Sequence, residues 1–193
     1  MMALASEEDS KSAKKMKSTS HSGIPEAVFL EDVDAFMQKP ENADPTAVVQ
    51  RLDEQHNKYK FMELNLLQKK KRLRSQIPDI KNTLEIVQHM RSKQGSGEEM
   101  DTQFLLADQV YAKASIPPSE RVCLWLGANV MLEYTIEDAE SLLTSNLSAA
   151  RESLLQVDTD LDFLRDQYTT TEVNMARVYN YGVKKRQGAQ SAS

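Results

Sequence analysis

Apolar residues recur along this chain with two different periods, and each change of period marks an element. Leu52, Tyr59, Leu66, Leu73, Ile80 and Val87 return every seven residues, which is the seam of a long helix. The alternate seam positions, Gln55, Met62, Lys69, Gln76, Thr83 and Met90, are mostly polar, and from Leu73 onward the apolar partners become Ile77 and Leu84. Asp44 can cap the first turn, and Pro45 suits the first helical position, where no N–H is needed. Pro78 falls at the shift of the stripe. A proline removes one helical hydrogen bond, but the pattern resumes beyond it, so a kink near 76–79 is predicted rather than a stop. The helix should cover 45–94 and end before Gly95-Ser96-Gly97.

A second helix is predicted over 135–182. Leu143, Leu147, Ala150, Leu154, Val157, Leu161, Leu164, Tyr168, Thr171, Met175 and Val178 alternate in steps of four and three, a sustained coiled-coil spacing. Thr135 and Asp138 form a capping-box-like start, and the end is placed near Tyr181-Gly182. Each helix is about 45 residues, or roughly 70 Å at 1.5 Å per residue. Their similar length, with a returning connector, predicts that they pair antiparallel.

Between them, 98–134 has the period of strands. Four runs stand out, at 102–106, 110–114, 121–126 and 130–134, with 127–129 as a tight turn. Ile116-Pro117-Pro118-Ser119 links two hairpins and cannot be central strand. The run Val122-Cys123-Leu124-Trp125-Leu126 is apolar on both faces and needs cover that two hairpins alone do not supply. The segment is therefore read as an assembly element of an obligate oligomer, with Phe104, Val110, Val122, Leu124, Trp125, Leu126, Val130 and Leu132 as the assembly residues. The fold class is α+β, mainly α: a long antiparallel two-helix coiled coil joined by two β-hairpins.

The flanks differ. Residues 1–23 are rich in Ser, Lys and Glu and are expected to be disordered, as is the tail 183–193. Residues 24–44 are a short helical segment and a break: Val33, Phe36 and Met37 share one helical face. This segment either packs on its own chain or serves as a docking or client-contact element.

Composition narrows the function without naming it. Aromatic residues are only 6% of the chain and charged residues 27%, which suits solvated helices better than a compact α/β enzyme. The net charge of −5 disfavours a nucleic-acid duplex as the main partner. The single cysteine, Cys123, allows no internal disulfide, and with no signal-peptide core and no apolar run of membrane-spanning length the expected location is cytoplasmic, the nucleus being a second compartment.

Candidate chemistry is sparse. His21, His56 and His89 are too far apart to converge, and no His or Cys cluster has metal-ligand spacing. Gly95-Ser96-Gly97 lacks the lysine and the strand-to-helix context of a phosphate loop. Cys123, flanked by Val122 and Leu124, reads as a packed core thiol, and Asp158, Asp160 and Asp162 as a solvated face. The basic run Lys69-Lys70-Lys71-Arg72 reads as solvated surface, with Lys69 at the seam. No catalytic residue, cofactor or metal is expected, and the chain is read as a non-enzyme.

A coiled coil closed by β-structure at one end leaves its other end as the working surface. Val48, Val49, Leu52, Tyr59, Met175, Val178, Tyr179 and Tyr181 are the candidate contact residues there, unless they merely finish the two-helix seam. Several such ends around one cavity would hold a non-native chain by avidity.

Four stretches carry a family resemblance: 23–29 (Gly-Ile-Pro-Glu-Ala-Val-Phe), 58–66 (Lys-Tyr-Lys-Phe-Met-Glu-Leu-Asn-Leu), 122–134 (Val-Cys-Leu-Trp-Leu-Gly-Ala-Asn-Val-Met-Leu-Glu-Tyr) and 162–180 (Asp-Phe-Leu-Arg-Asp-Gln-Tyr through Asn180). With Gln76-Ile77-Pro78-Asp79-Ile80, they resemble the α-class subunits of the prefoldin family across roughly 24–185. The resemblance implies a hexamer of two α-class and four β-class subunits, whose hairpins assemble into a shared β-barrel platform from which the coiled coils hang. It also implies capture of unfolded actin and tubulin at the coil ends, delivery to the cytosolic chaperonin without nucleotide, and the von Hippel–Lindau protein as a further partner. Neither nucleic acid nor membrane is implied. The alternative is a coiled-coil scaffold or tether that captures no client.

Overall fold

The computed structural model describes His21 and residues 23–191; the expectations for 1–20, Ser22 and 192–193 lie outside the described residues. The elements in order are α1 (Val33–Met37), a 3-10 turn (Pro40–Asn42), α2 (Pro45–Gln94), β1 (Met100–Ala107), β2 (Val110–Ile116), β3 (Arg121–Gly127), β4 (Val130–Thr135) and α3 (Ile136–Ser191). The chain forms two compact units, one of Glu54–Asp162 and one of Met1–Asp53 with Phe163–Ser193.

In the unit Glu54–Asp162, the stripe predicted past Leu73 is what builds the core. Leu84 and Val87 from α2 are buried with Ile136, Ala139, Leu143 and Leu147 from α3, and Ile77, Ile80, Met90, Val122, Leu124 and Tyr134 pack against them. Each such Leu, Ile or Val contributes about 1.5–3 kcal/mol when fully buried. Residues late in α2 thus meet residues early in α3, as antiparallel pairing requires. Polar pairs follow the same order: Lys70 Nζ lies 2.6 Å from Asp158, and Arg91 lies 2.6 Å from Glu140. Glu140 also accepts from Gln88 Nε2 at 3.1 Å. The Arg91 hydrogen bond, with that of Gln88, holds the Glu140 carboxyl below the ordinary glutamate range. Helix α2 continues through Pro78, which cannot donate to Arg74 as a helical residue would.

The strands form two separate antiparallel hairpins, β1 with β2 and β3 with β4. Thr102 pairs with Ala114 and Phe104 with Ala112 in the first; Val122 pairs with Tyr134, Leu124 with Leu132 and Trp125 with Met131 in the second. The second hairpin turns on Ala128 and Asn129, at φ 48° and 61°, both positive as a type I′ turn needs. Asn tolerates this conformation; the Ala128 Cβ does so at a cost. At the exit of β4, Thr135 Oγ1 accepts from the Asp138 N–H at 3.1 Å and donates to its carboxylate at 2.7 Å, which caps α3.

The other unit is organised by α1 and the chain before it. Asp44 caps α2, its carboxylate accepting from the Thr46 N–H at 3.0 Å, and Pro45 follows as its first residue. Met37, Val48 and Val178 are buried together, with Leu30, Val33, Phe36, Val49, Leu52 and Tyr181 around them. Residues 24–37 therefore pack on their own chain. Asp32 caps α1 through the Ala35 N–H at 2.9 Å. Buried Asn42 fixes the turn that follows, donating to the Phe36 carbonyl and accepting from Arg51 at 2.6 Å.

Four expectations are corrected. Helix α3 runs to Ser191, past Gly182: this glycine is buried against Pro45, whose Cβ would lie 3.1 Å from any Cβ placed there, so it serves close helix approach rather than termination. Cys123 is exposed, because strand alternation turns Val122 and Leu124 to the core and Cys123 away. Asp160 is buried, its carboxylate accepting from Gln156 Nε2 at 2.8 Å, so it does not belong to a solvated face. Lys69 is exposed while Lys70 is half-buried and paired with Asp158, since the stripe drifts by one residue around this part of the helix.

Candidate functional site

Among the described residues no group of three or more His, Cys, Asp or Glu could hold a metal ion. No described helix is long and apolar enough to cross a membrane. What the fold offers instead are two surfaces.

The first is the pair of hairpins. Phe104 is 64% exposed and Trp125 60%, and Leu106, Val110, Leu126, Val130, Met131 and Leu132 are exposed as well. Of the eight assembly candidates, only Val122 and Leu124 touch the chain's own core. Pairing puts Phe104 beside Ala112, with Thr102 and Ala114 on the same face, so one face of the first hairpin is an apolar strip. In the second hairpin Cys123, Trp125 and Met131 share the face opposite Val122 and Leu124. Two-stranded ribbons carrying this much uncovered apolar surface are marginal alone and complete themselves by adding partners.

The second surface is formed by the ends of the helices. The structure separates the eight contact candidates into three groups. Val48 at 2% exposure, Val178 at 0% and Tyr59 at 0% are buried, so they are not available as surface. Val48 and Val178 are covered because Leu30, Val33, Phe36 and Met37 lie on them; this cover comes from before Asp44 and could not be read from the helix periods. The Tyr59 hydroxyl accepts from Gln55 Nε2 at 2.7 Å. Val49, Leu52, Met175 and Tyr181 are half-buried, and Tyr179 is 58% exposed. An open concavity lined by Pro45, Thr46, Val49, Tyr179, Gly182 and Arg186 adjoins them.

Sequence periodicity placed Thr171 in the α3 seam but missed the two amides that share its face. Gln167, Thr171 and Asn174 are all buried, and they fall at i, i+4 and i+7 on one face. Gln167 Oε1 accepts from the Ala27 N–H at 2.8 Å. Asn174 Oδ1 accepts from the Leu30 N–H at 2.9 Å, and its Nδ2 donates to the Val28 carbonyl at 2.8 Å. Arg177 donates to the Glu31 carbonyl at 2.8 Å and lies 5.1 Å from the Phe29 ring centroid. His21 stacks on Phe163 at 3.9 Å. The available signal was the presence of amides at seam-adjacent positions, where a two-helix coil would place apolar residues.

The family model described as prefoldin subunit matches residues 59–181. Prefoldin subunit 3 of Mus musculus is 63% identical over 166 residues, covering 86% of this chain and 85% of that protein. Prefoldin subunit 3 of Drosophila melanogaster is 58% identical over 167 residues, covering 86% and 84%. The probable prefoldin subunit 3 of Schizosaccharomyces pombe is 43% identical over 171 residues, covering 89% and 97%. With long helices, two small hairpins and these relatives, the chain belongs to the prefoldin subunit family.

Proposed function

We propose that this chain is an α-class subunit of a hexameric co-chaperone that holds unfolded polypeptides at its coiled-coil ends and passes them on without nucleotide. The uncovered apolar hairpins carry the reading: Phe104, Leu106, Trp125 and Met131 are exposed in the single chain, and burying them requires other subunits. One further α-class and four β-class subunits, joined through a shared β-barrel platform, complete the assembly. Actin and tubulin are the proposed clients, the cytosolic chaperonin the proposed recipient, and the von Hippel–Lindau protein a further partner.

The contact surface at the helix ends is narrower than the helix periods suggested. Val49, Leu52, Met175, Tyr179 and Tyr181 remain as contact residues, while Val48 and Val178 lie buried in the same cluster as Val49, Leu52 and Tyr181 and Tyr59 is buried. Half-exposed Met and Tyr make adaptable contacts that tolerate many sequences, and several such ends acting together raise the effective concentration.

The test is aggregation of a chemically denatured protein diluted into buffer without ATP, with and without the assembled hexamer. Suppression of light scattering by the hexamer, and its reduction by Tyr179→Asp, is expected. An intact hexamer that gives no suppression leaves only the scaffold or tether reading.

A further inference from the structure

We propose that the α3 face formed by Gln167, Thr171 and Asn174 is a docking groove for the main chain of an extended polypeptide, and that residues 24–31 of this same chain occupy it as a resident stand-in. The inference deepens the co-chaperone reading and rests on it for the identity of the second occupant, a segment of unfolded client.

The contacts define what the groove recognises. Gln167 and Asn174 bind only backbone atoms: the Ala27 N–H, the Val28 carbonyl and the Leu30 N–H. A carboxamide offers one acceptor and a donor, as a peptide group does. Asn174 therefore meets Val28 and Leu30 as a neighbouring strand would. Gln167 is held in place by donating to the Phe163 carbonyl at 3.2 Å, so this amide does not have to be ordered when a peptide arrives, and the buried Thr171 hydroxyl is satisfied within the helix by the Gln167 main-chain carbonyl at 2.9 Å.

Of the arm's side chains, Leu30 packs on the Met37, Val48 and Val178 core and Phe29 lies beneath the Arg177 guanidinium. Val28 is open to solvent, being 77% exposed. A site that reads backbone and adds only an apolar anchor beside it accepts many sequences. That is the requirement for holding non-native chains, whose common feature is unpaired backbone.

The groove takes one occupant at a time. While the arm is bound, client must displace it, and the apparent affinity is reduced by the fraction of chains whose arm is released. The arm thereby acts as a gate that favours long, backbone-exposed clients over brief encounters.

The test uses the full chain in its assembled hexamer. Ala27→Pro removes the arm N–H that Gln167 accepts and leaves the groove and the Leu30 packing intact; Gln167→Leu with Asn174→Leu releases the arm and destroys the groove. The first probe is reduced, carboxymethylated α-lactalbumin, a permanently unfolded protein. Its affinity should rise roughly fivefold with the arm variant, the size set by loss of one backbone hydrogen bond, and should not rise with the groove variant. The second probe is the labelled peptide of residues 24–31, blocked at both ends, which should bind the arm variant in trans and not the groove variant.

Unchanged affinity for the unfolded protein in the arm variant, with hydrogen exchange showing the arm released, overturns the gate even though the hexamer remains a holdase. Failure of the peptide to bind in trans overturns the groove itself. If no form of the hexamer binds α-lactalbumin, the co-chaperone reading fails on its own, and the gate fails with it, whatever the peptide does.

Discussion

Two adjacent residues on α3 separate support from contact. Val178 is fully buried between Met37 and Val48, and Tyr179 is 58% exposed beside it. Val178→Ala removes two methyl-sized groups. At about 0.8 kcal/mol per group the transfer loss is about 1.6 kcal/mol, and the cavity left beneath Met37 brings the total to roughly 2–3 kcal/mol, since α1 is anchored to an Asp32 cap and can collapse only in part. Tyr179→Ala, at a surface position, should change stability by no more than about 0.5 kcal/mol. Native-state hydrogen exchange reads this directly: amides of Val33–Met37 and of the first turns of α2 should lose protection by that 2–3 kcal/mol in the first variant and keep it in the second. The client assay should reverse the order for a charged change, with Tyr179→Asp reducing aggregation suppression while exchange stays at the wild-type level. Equal protection in Val178→Ala and Tyr179→Ala would refute the claim that α1 seals the helix ends.

Three further outcomes follow from the same geometry. Trp125→Ser should leave the isolated chain within about 0.5 kcal/mol of wild type, because Trp125 is 60% exposed there, yet lower the hexamer yield in size-exclusion chromatography with light scattering; a normal yield would remove Trp125 from the assembly surface. Gly182→Val should cost about 1–3 kcal/mol by overpacking, as its Cβ would stand 3.1 Å from the Pro45 Cβ; exchange protection unchanged around Pro45 would contradict the close approach. Glu140 titrates below the ordinary value of 4.5 because Arg91 and Gln88 bond its carboxylate, so its contribution to stability is present above pH 4.5 and lost as pH falls through the depressed value. The stability difference between wild type and Glu140→Gln should vanish over that acid range, and a difference independent of pH would show that the pair does not form.

The sequence carried the parts whose cause is local. Asp44 and Pro45 start α2, Thr135 and Asp138 start α3, and the strands around Ala128-Asn129 follow from alternation and turn chemistry, because capping, proline geometry and side-chain period act within a few residues. The same locality explains the misreadings. Gly182 resembles a helix end until Pro45 is seen against it. Cys123 resembles a core thiol until pairing turns Val122 and Leu124 inward. Val48 and Val178 resemble an open end until the segment before Asp44 folds back over them. Gln167 and Asn174 fall outside the apolar period, and the arm lying along α3, some 140 residues away in the chain, supplies the backbone N–H groups they accept from. Periodicity determined which residues are apolar and on which helical face they stand. Tertiary structure decided which of those faces is covered and by what, because burial depends on contacts between segments remote in sequence, and no local pattern encodes them.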